Sequence, residues 1–344
     1  MLNMYLIIAL ISLGALIFIH EFGHYCTAKA CGVAVQEFSL GMGPSLLQHK
    51  GKDGTLYSLR LLPVGGFCAF YDEQSNKADA QVVAFARQPV YKRFLITLAG
   101  PLVNFIVAIV LISFYLCVFG YYEATTSIMA VDEHAAFAGL RSGDTIVAIN
   151  DMASDNPLFF SQAIAASEGK LLSIRVKRGE EFLTCSVEPY FDKTVDRWRI
   201  GVSFKQNRKT ETLLRSLAYS VHYNLQNAGY IFETIKNLLF KHKGVEELTG
   251  PIGTVYVIME ETRQGGVETY IELLALISLN LAVFNLLPIP GLDGSRLLLL
   301  LVERICHKPL NEKWVSLVYM VGLGLLLVLI LILSYKDIGR FILR

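Results

Sequence analysis

From Leu2 to about Ala28 the chain is almost uninterrupted Leu, Ile, Ala and Phe, yet it places His20, Glu21 and His24 inside that run. As a helix such a stretch crosses about 30 Å of hydrocarbon. Ionisable side chains at that depth are costly unless they serve a site. His20 and His24 are four residues apart, so on a helix they stand one turn apart on one face and can share a metal ion, with Glu21 beside them. Neutral imidazoles bind zinc at about 2.0–2.1 Å, and a catalytic zinc keeps one position open for a water that a carboxylate can deprotonate. With seven His among 344 residues, a chance His-Glu-x-x-His is expected on the order of once in a hundred such chains. Its place within a span makes chance a poorer explanation still.

The chain is 53% hydrophobic and 18% charged, a balance that belongs to an integral membrane protein in contact with the lipid bilayer. A net charge of +1, with no basic run interleaved with aromatics, sets nucleic acid aside as a partner. Cys26, Cys31, Cys68, Cys117, Cys185 and Cys306 are scattered, and their spacing suggests neither a disulfide framework nor a thiolate metal site. The first apolar run lacks a charged n-region, so it is expected to be a retained span and not a cleaved signal peptide.

Between Lys29 and Arg93 the β-prone residues and glycines of Glu37–Pro44 and Tyr57–Phe67 suggest hairpins. A strand through Val64, Gly65, Gly66 and Phe67 beside the site can hold an extended substrate by edge pairing, although an ordinary surface hairpin accounts for the pattern as well. A second span is expected from about Phe94 to Tyr121, where Leu98-Ala99-Gly100-Pro101-Leu102-Val103-Asn104 suggests close helix packing with Asn104 as interhelical glue. The pattern from Glu123 to about Lys209 is that of a soluble module, with a helix near Asn156–Ser167 and strands at Leu171–Arg178 and Glu181–Val187. Thr210 to about His242 is amphipathic and is read as a helix on or near the membrane surface, with a soluble packing helix equally allowed. Gly250-Pro251-Ile252-Gly253 breaks the chain before a third span, Val267 to about Leu287, and a fourth runs from Trp314 to about Ser334.

The expected fold is therefore a polytopic α-helical membrane protein: four transmembrane helices, a membrane-associated β-hairpin region and an inserted soluble module. Its divisions are residues 1–121, 122–209, 210–266 and 267–344. The loop between the first two spans carries eight Lys/Arg and that between the last two carries Arg296, Arg304, Lys308 and Lys313, which places both loops in the cytoplasm and the module outside it. Lys336, Arg340 and Arg344 in the tail argue mildly the other way.

A zinc ion on His20 and His24 needs a further protein ligand. The best candidate follows the third span, in Asn285-Leu286-Leu287-Pro288-Ile289-Pro290-Gly291-Leu292-Asp293-Gly294. Its two prolines unwind the helix, and Asp293 is expensive at that depth unless it meets a cation. The first and third spans descend in the same sense, so the two motifs reach the same depth.

With both motifs in hand, the chain resembles the site-2 proteases, intramembrane zinc metalloproteases. The likeness covers nearly the whole chain: His20-Glu21-Phe22-Gly23-His24, Pro63-Val64-Gly65-Gly66, Ala99 to Asn104, Gly250 to Gly253 and Asn285 to Gly294. The Gly-Leu-x-x-Gly-Asp-x-Ile core from Gly139 to Ile146 resembles a PDZ domain of the bacterial protease type, which implies peptide or protein ligands bound by strand addition. The family resemblance implies a Zn2+ cofactor with His20, His24 and Asp293 as ligands, Glu21 as general base and Asn285 on the substrate backbone. It also implies a protein of the bacterial cytoplasmic (inner) membrane, with its site near the cytoplasmic side. Single-span membrane proteins, such as anti-sigma factors, and signal peptide remnants are the implied substrates. One PDZ core is recognisable where the best-known members carry two. Two rival readings are a non-catalytic membrane-anchored PDZ scaffold or sensor and, more weakly, a zinc or proton transporter; neither requires Glu21.

Overall fold

Apolar length makes the helices and Gly or Pro ends them. The computed structural model describes residues 2–71, 85–193, 196–241, 249–308 and 312–342. Helix α1 (Leu2–Ala30) stops where Gly32 turns left-handed at φ 75°, with its N–H and that of Val33 bonded back to the carbonyls of Lys29 and Ala28. Strands β1 (Val35–Lys50) and β2 (Leu56–Phe70) follow and pair antiparallel. Their register is that of a folded-over meander: Phe38 faces both Tyr57 and Cys68, and Ser39 both Ser58 and Phe67, so the last stretch of β2 becomes an outer edge. The base of this sheet is packed by Val35, Phe38 and Tyr57 against Phe18, Tyr25 and Ala28 of α1. Tyr25 and Tyr57 share a 2.6 Å hydroxyl hydrogen bond, and Lys29 pairs with Asp53 at 2.6 Å, which holds the Asp53 carboxyl down to about 2.

Helix α2 (Val90–Val118) begins after Pro89 and carries Pro101 inside it. It ends three residues short of the expected Tyr121, because Gly120 turns at φ 72° and Tyr121 already opens a strand.

Residues 118–211 form a compact unit of their own. Within it β3 (Tyr121–Val131), α3 (Glu133–Phe137), β4 (Thr145–Ile149), β5 (Met152–Ala153), α4 (Pro157–Ala165), β6 (Leu172–Arg178), β7 (Glu181–Val187), β8 (Tyr190–Asp192), β9 (Arg197–Arg199) and β10 (Val202–Lys209) follow in order. The main sheet runs β10-β3-β4-β6-β7, with β5 beside β4. Strands β3 and β10, the first and last of the unit in chain order, pair with Tyr121 opposite Lys209, so the chain enters and leaves the unit at one place, as an inserted domain must. The core gathers Ile128, Leu140, Ile146, Ile149, Phe160, Ile174, Val176 and Ile200. Asp144 is buried beneath it, forked by Arg178, whose guanidinium holds the carboxyl below the usual range.

The remaining helices belong to the same unit as residues 1–117. Helix α5 (Leu213–Lys241) is the expected amphipathic segment, with Ala228 and Ile231 packed against Phe105 and Ala108 of α2. Helix α6 (Pro251–Asn285) starts well before the expected Val267. Gly250-Pro251 is a helix start and not a break before one: Pro251 takes the first helical position, where its missing N–H is harmless. The change of direction falls instead at Gly266, at φ 67°. Helix α7 (Asp293–Cys306) occupies what reads in the sequence as a loop, and α8 (Glu312–Asp337) ends the set. The buried Asp337 carboxylate accepts from the Gly250 and Gly253 N–H groups at 3.2 and 2.8 Å, so the end of α8 caps the start of α6.

Among the described residues four helical stretches, Met4–Ala30, Val90–Val118, Pro251–Asn285 and Leu317–Phe341, are long and apolar enough to cross a membrane. Asn104 corrects one expectation. The bond across helices is made by its backbone carbonyl, which accepts from Ser278 Oγ at 2.8 Å, while its buried carboxamide has no partner among the described residues.

Candidate active site

Helical spacing on α1 brings His20 and His24 to one face, and each is only 7% exposed. Asp293, the first residue of α7, reaches them from the far end of the chain. Its Oδ2 lies 3.1 Å from His20 Nε2 and 3.3 Å from His24 Nε2, and the two Nε2 atoms are 3.2 Å apart. A tetrahedral ion with bonds of about 2.0–2.1 Å holds its ligands about 3.3–3.4 Å apart. The three atoms therefore stand nearly as one face of such a tetrahedron. The His24 Nδ1–H donates to the Ile96 carbonyl at 2.8 Å, which fixes the tautomer and turns the Nε2 lone pair toward the cluster. Among the described residues this is the group of His, Cys, Asp and Glu side chains able to hold a metal ion.

The approach of Asp293 depends on the preceding turn. Helix α6 stops at Asn285, Pro288 and Pro290 prevent its continuation, and Gly291 adopts φ 101° before α7 begins. Gly294 lies so close to the carbonyls of Leu286 and Leu287 that any side chain there would overlap them. Further along α7, Glu303 takes a forked pair from Arg93 of α2 at 3.1 and 2.5 Å, fixing the helix that carries Asp293.

Glu21 projects beside the cluster, and its Oε2 accepts the Cys68 N–H from the outer edge of β2 at 3.0 Å. A cavity of about 260 Å³ is lined by His20, Glu21, His24, Phe67, Asn285 and Asp293. Five further residues that sequence reasoning passed over share it: Cys68, Phe70, Ile96, Thr97 and Arg296. The other hairpin positions sit differently. A Cβ on Gly66 would stand 3.7 Å from Glu21 Cγ and 2.7 Å from the Ser39 carbonyl, so only glycine allows the strand this close. Gly65 turns at φ 88° against Met42, while Val64 contributes its backbone to β2 and its side chain is outside the described residues.

Gly100 was legible only as a small residue for helix packing, and its role is narrower. A methyl there would overlap His24 Nε2 and lie 2.6 Å from His24 Cε1 and 2.8 Å from His20 Cε1. Gly23 does the same for α1, where a Cβ would come 2.6 Å from the Ala99 carbonyl. Gly100→Ala is expected to displace both imidazoles and to lower turnover by about a hundredfold, the scale of an ångström-level misplacement. Turnover and zinc per chain, compared with an Ala substitution at a glycine such as Gly324 that meets no neighbour, check it.

The model for peptidase family M50 matches residues 8–329. A candidate zinc metalloprotease of Clostridium acetobutylicum is 31% identical over 97% of this chain and 97% of its own. The regulator of sigma-W protease RasP of Bacillus subtilis is 27% identical over 97% of this chain and 98% of its own. A solved PDZ domain of an SdrC-like protein from Listeria monocytogenes is 24% identical over 24% of this chain and 90% of that one, with a TM-score of 0.22. With a family model that spans nearly the whole chain and relatives aligned end to end, the chain belongs to peptidase family M50.

Proposed function

We propose that the chain is a zinc-dependent endopeptidase that hydrolyses a peptide bond inside the transmembrane segment of a single-span membrane protein, such as an anti-sigma factor or a signal peptide remnant. The observation that carries the reading is the near-tetrahedral face made by His20, His24 and Asp293 with Glu21 beside it, at the end of a membrane-spanning helix. The three are the metal ligands. A zinc ion held by them would supply Lewis-acid polarisation of the scissile carbonyl and acidification of the attacking water. Glu21, oriented by the Cys68 N–H, takes the proton from that water and returns it to the leaving amine. A new C–O bond forms and the C–N bond breaks, and the remaining proton of the added hydroxyl passes to the amine, leaving a carboxylate and an ammonium.

A helical substrate hides its carbonyls, so it must unwind at the site. The outer edge of β2, from Val64 to Phe67, receives it as a strand, and Asn285 at the cavity wall contacts its backbone. The sheet is membrane-associated: Met42, Leu46, Leu47, Leu61 and Leu62 are exposed on it, and lipid covers such a surface without cost. The Lys/Arg-rich connections support a site near the cytoplasmic side of the inner membrane and a PDZ domain on the opposite side that binds peptide or protein ligands. Residues 1–121 and 267–344 supply the two halves of the site, and 122–209 and 210–266 the PDZ domain and its connector.

The test is purified protein incubated with single-span substrates, with and without a zinc chelator. Expected is cleavage within the span, located by mass spectrometry, lost on chelation and restored by zinc. Cleavage that survives full removal of zinc, or none with any single-span substrate, contradicts the reading.

A further inference from the structure

We infer that Arg296 is the anion-binding residue of the catalytic cavity: its guanidinium pairs with the substrate oxygen that becomes negative during hydrolysis and then with the carboxylate left on the cleaved fragment. The inference rests on the proposed peptidase reading and adds a residue to it.

Arg296 lies three residues beyond Asp293 on α7, hence on the same face, and its side chain lines the same cavity. Long helical side chains lean toward the helix N-terminus, which here is the end bearing Asp293. The guanidinium carbon sits 5.4 Å from the centre of the Tyr319 ring on α8. A cation–π contact of that kind draws the guanidinium toward the ring face and uses none of its N–H groups, which stay available to donate. Among the described residues no carboxylate lies within 4.0 Å of it. Some arginines elsewhere in the chain are matched by a carboxylate, as Arg93 is by Glu303, Arg60 by Glu37 and Arg178 by Asp144, whereas Arg175 and Arg340 lie over aromatic rings as Arg296 does. An arginine cannot shed its proton, so Arg296 brings to the wall of the reaction cavity a positive charge that no carboxylate among the described residues pairs with.

Chemistry supplies the partner. As Glu21 takes the proton from water, negative charge moves from that carboxylate to the former carbonyl oxygen. When the C–N bond breaks, the amine takes the proton back from Glu21 and then the remaining proton of the added hydroxyl, which leaves an ammonium and a negative charge on the fragment's carboxylate. A fixed cation not paired with Glu21 favours the second distribution over the first, and a guanidinium fork matches a carboxylate in shape. Of the permanently charged groups lining the cavity among the described residues, Arg296 alone has the required sign.

The experiment compares zinc-loaded full-length wild type with Arg296→Gln and Arg296→Lys for kcat, KM and zinc per chain. Separately, the Glu21→Gln background, with and without each Arg296 substitution, is titrated with a peptide matching the cleaved fragment, carrying either a free C-terminal carboxylate or its amide. Expected for Arg296→Gln is a fall in kcat of about a hundredfold, the scale of one lost oxyanion donor, with KM and zinc near wild type. The preference for carboxylate over amide disappears with it, and Arg296→Lys restores part of both. An unchanged carboxylate preference in Arg296→Gln, or a kcat within about twofold of wild type, overturns the inference. So does loss of zinc or folding in step with kcat in both variants, which would give Arg296 a structural role. Wild type that neither binds zinc nor cleaves would refute the peptidase reading itself, a different result from a wild type that does both and an Arg296→Gln protein that does them equally well.

Discussion

Glu21→Gln is expected to leave fold and zinc content close to wild type while lowering cleavage by about a thousandfold or more, the range reached when a positioned general base is lost. The substitution preserves shape, and a carboxamide oxygen can still accept the Cys68 N–H that now reaches Glu21 Oε2 at 3.0 Å. What it removes is the ability to accept a proton. Glu21 is not among the three atoms that form the metal face, so zinc has no reason to leave. The check is turnover alongside zinc per chain and thermal unfolding of the same preparation. Substantial residual turnover in a zinc-loaded Glu21→Gln protein would remove Glu21 from the role of base.

Local chemistry was legible where the sequence carries its own periodicity. Asn156 and Pro157 mark the start of α4 because the Asn side chain accepts the Leu158 N–H and Pro suits the first turn. The expected strand Glu181–Val187 is β7 residue for residue. His20, Glu21 and His24 were readable because helix geometry alone sets their faces, and the two halves of the site could be joined because Asp293 is so costly without a cation.

Four features were not legible, and each depends on contacts distant in sequence. Strand β3 finds its partner β10 some eighty residues on, and nothing local in Tyr121–Val131 announces the pairing. Helix α7 is too short to span and carries Arg296, Glu303 and Arg304, so it reads as a basic loop. Only burial of Leu297 and Leu300 against the rest of the unit reveals its inner face. The double pairing of Phe38 and Ser39, which makes the end of β2 an outer edge beside Glu21, arises from register shifts that composition does not encode. Gly100 reads like any small residue in a packed span, and its closeness to the two imidazoles exists only once α1 and α2 have crossed.

Asp293 carries the largest consequence, since it is the member of the ligating group that comes from the other end of the chain. Its Oδ2 stands within 3.1–3.3 Å of both Nε2 atoms, a separation suited to a shared ion. Asp293→Asn keeps the size and removes the charge that offsets a dication in a low-dielectric setting. Zinc affinity should fall by more than the tenfold to hundredfold seen when merely the support of a ligand is lost. The plainer role, a polar residue opening α7, contributes about 1 kcal/mol and is served equally well by Asn. Zinc per chain, measured by metal analysis after dialysis against a weak chelator, separates the two in wild type, His24→Ala and Asp293→Asn. A site built by both ends of the chain predicts zinc in the wild type and its loss in both variants; Asp293→Asn that kept zinc like wild type while His24→Ala lost it would contradict it.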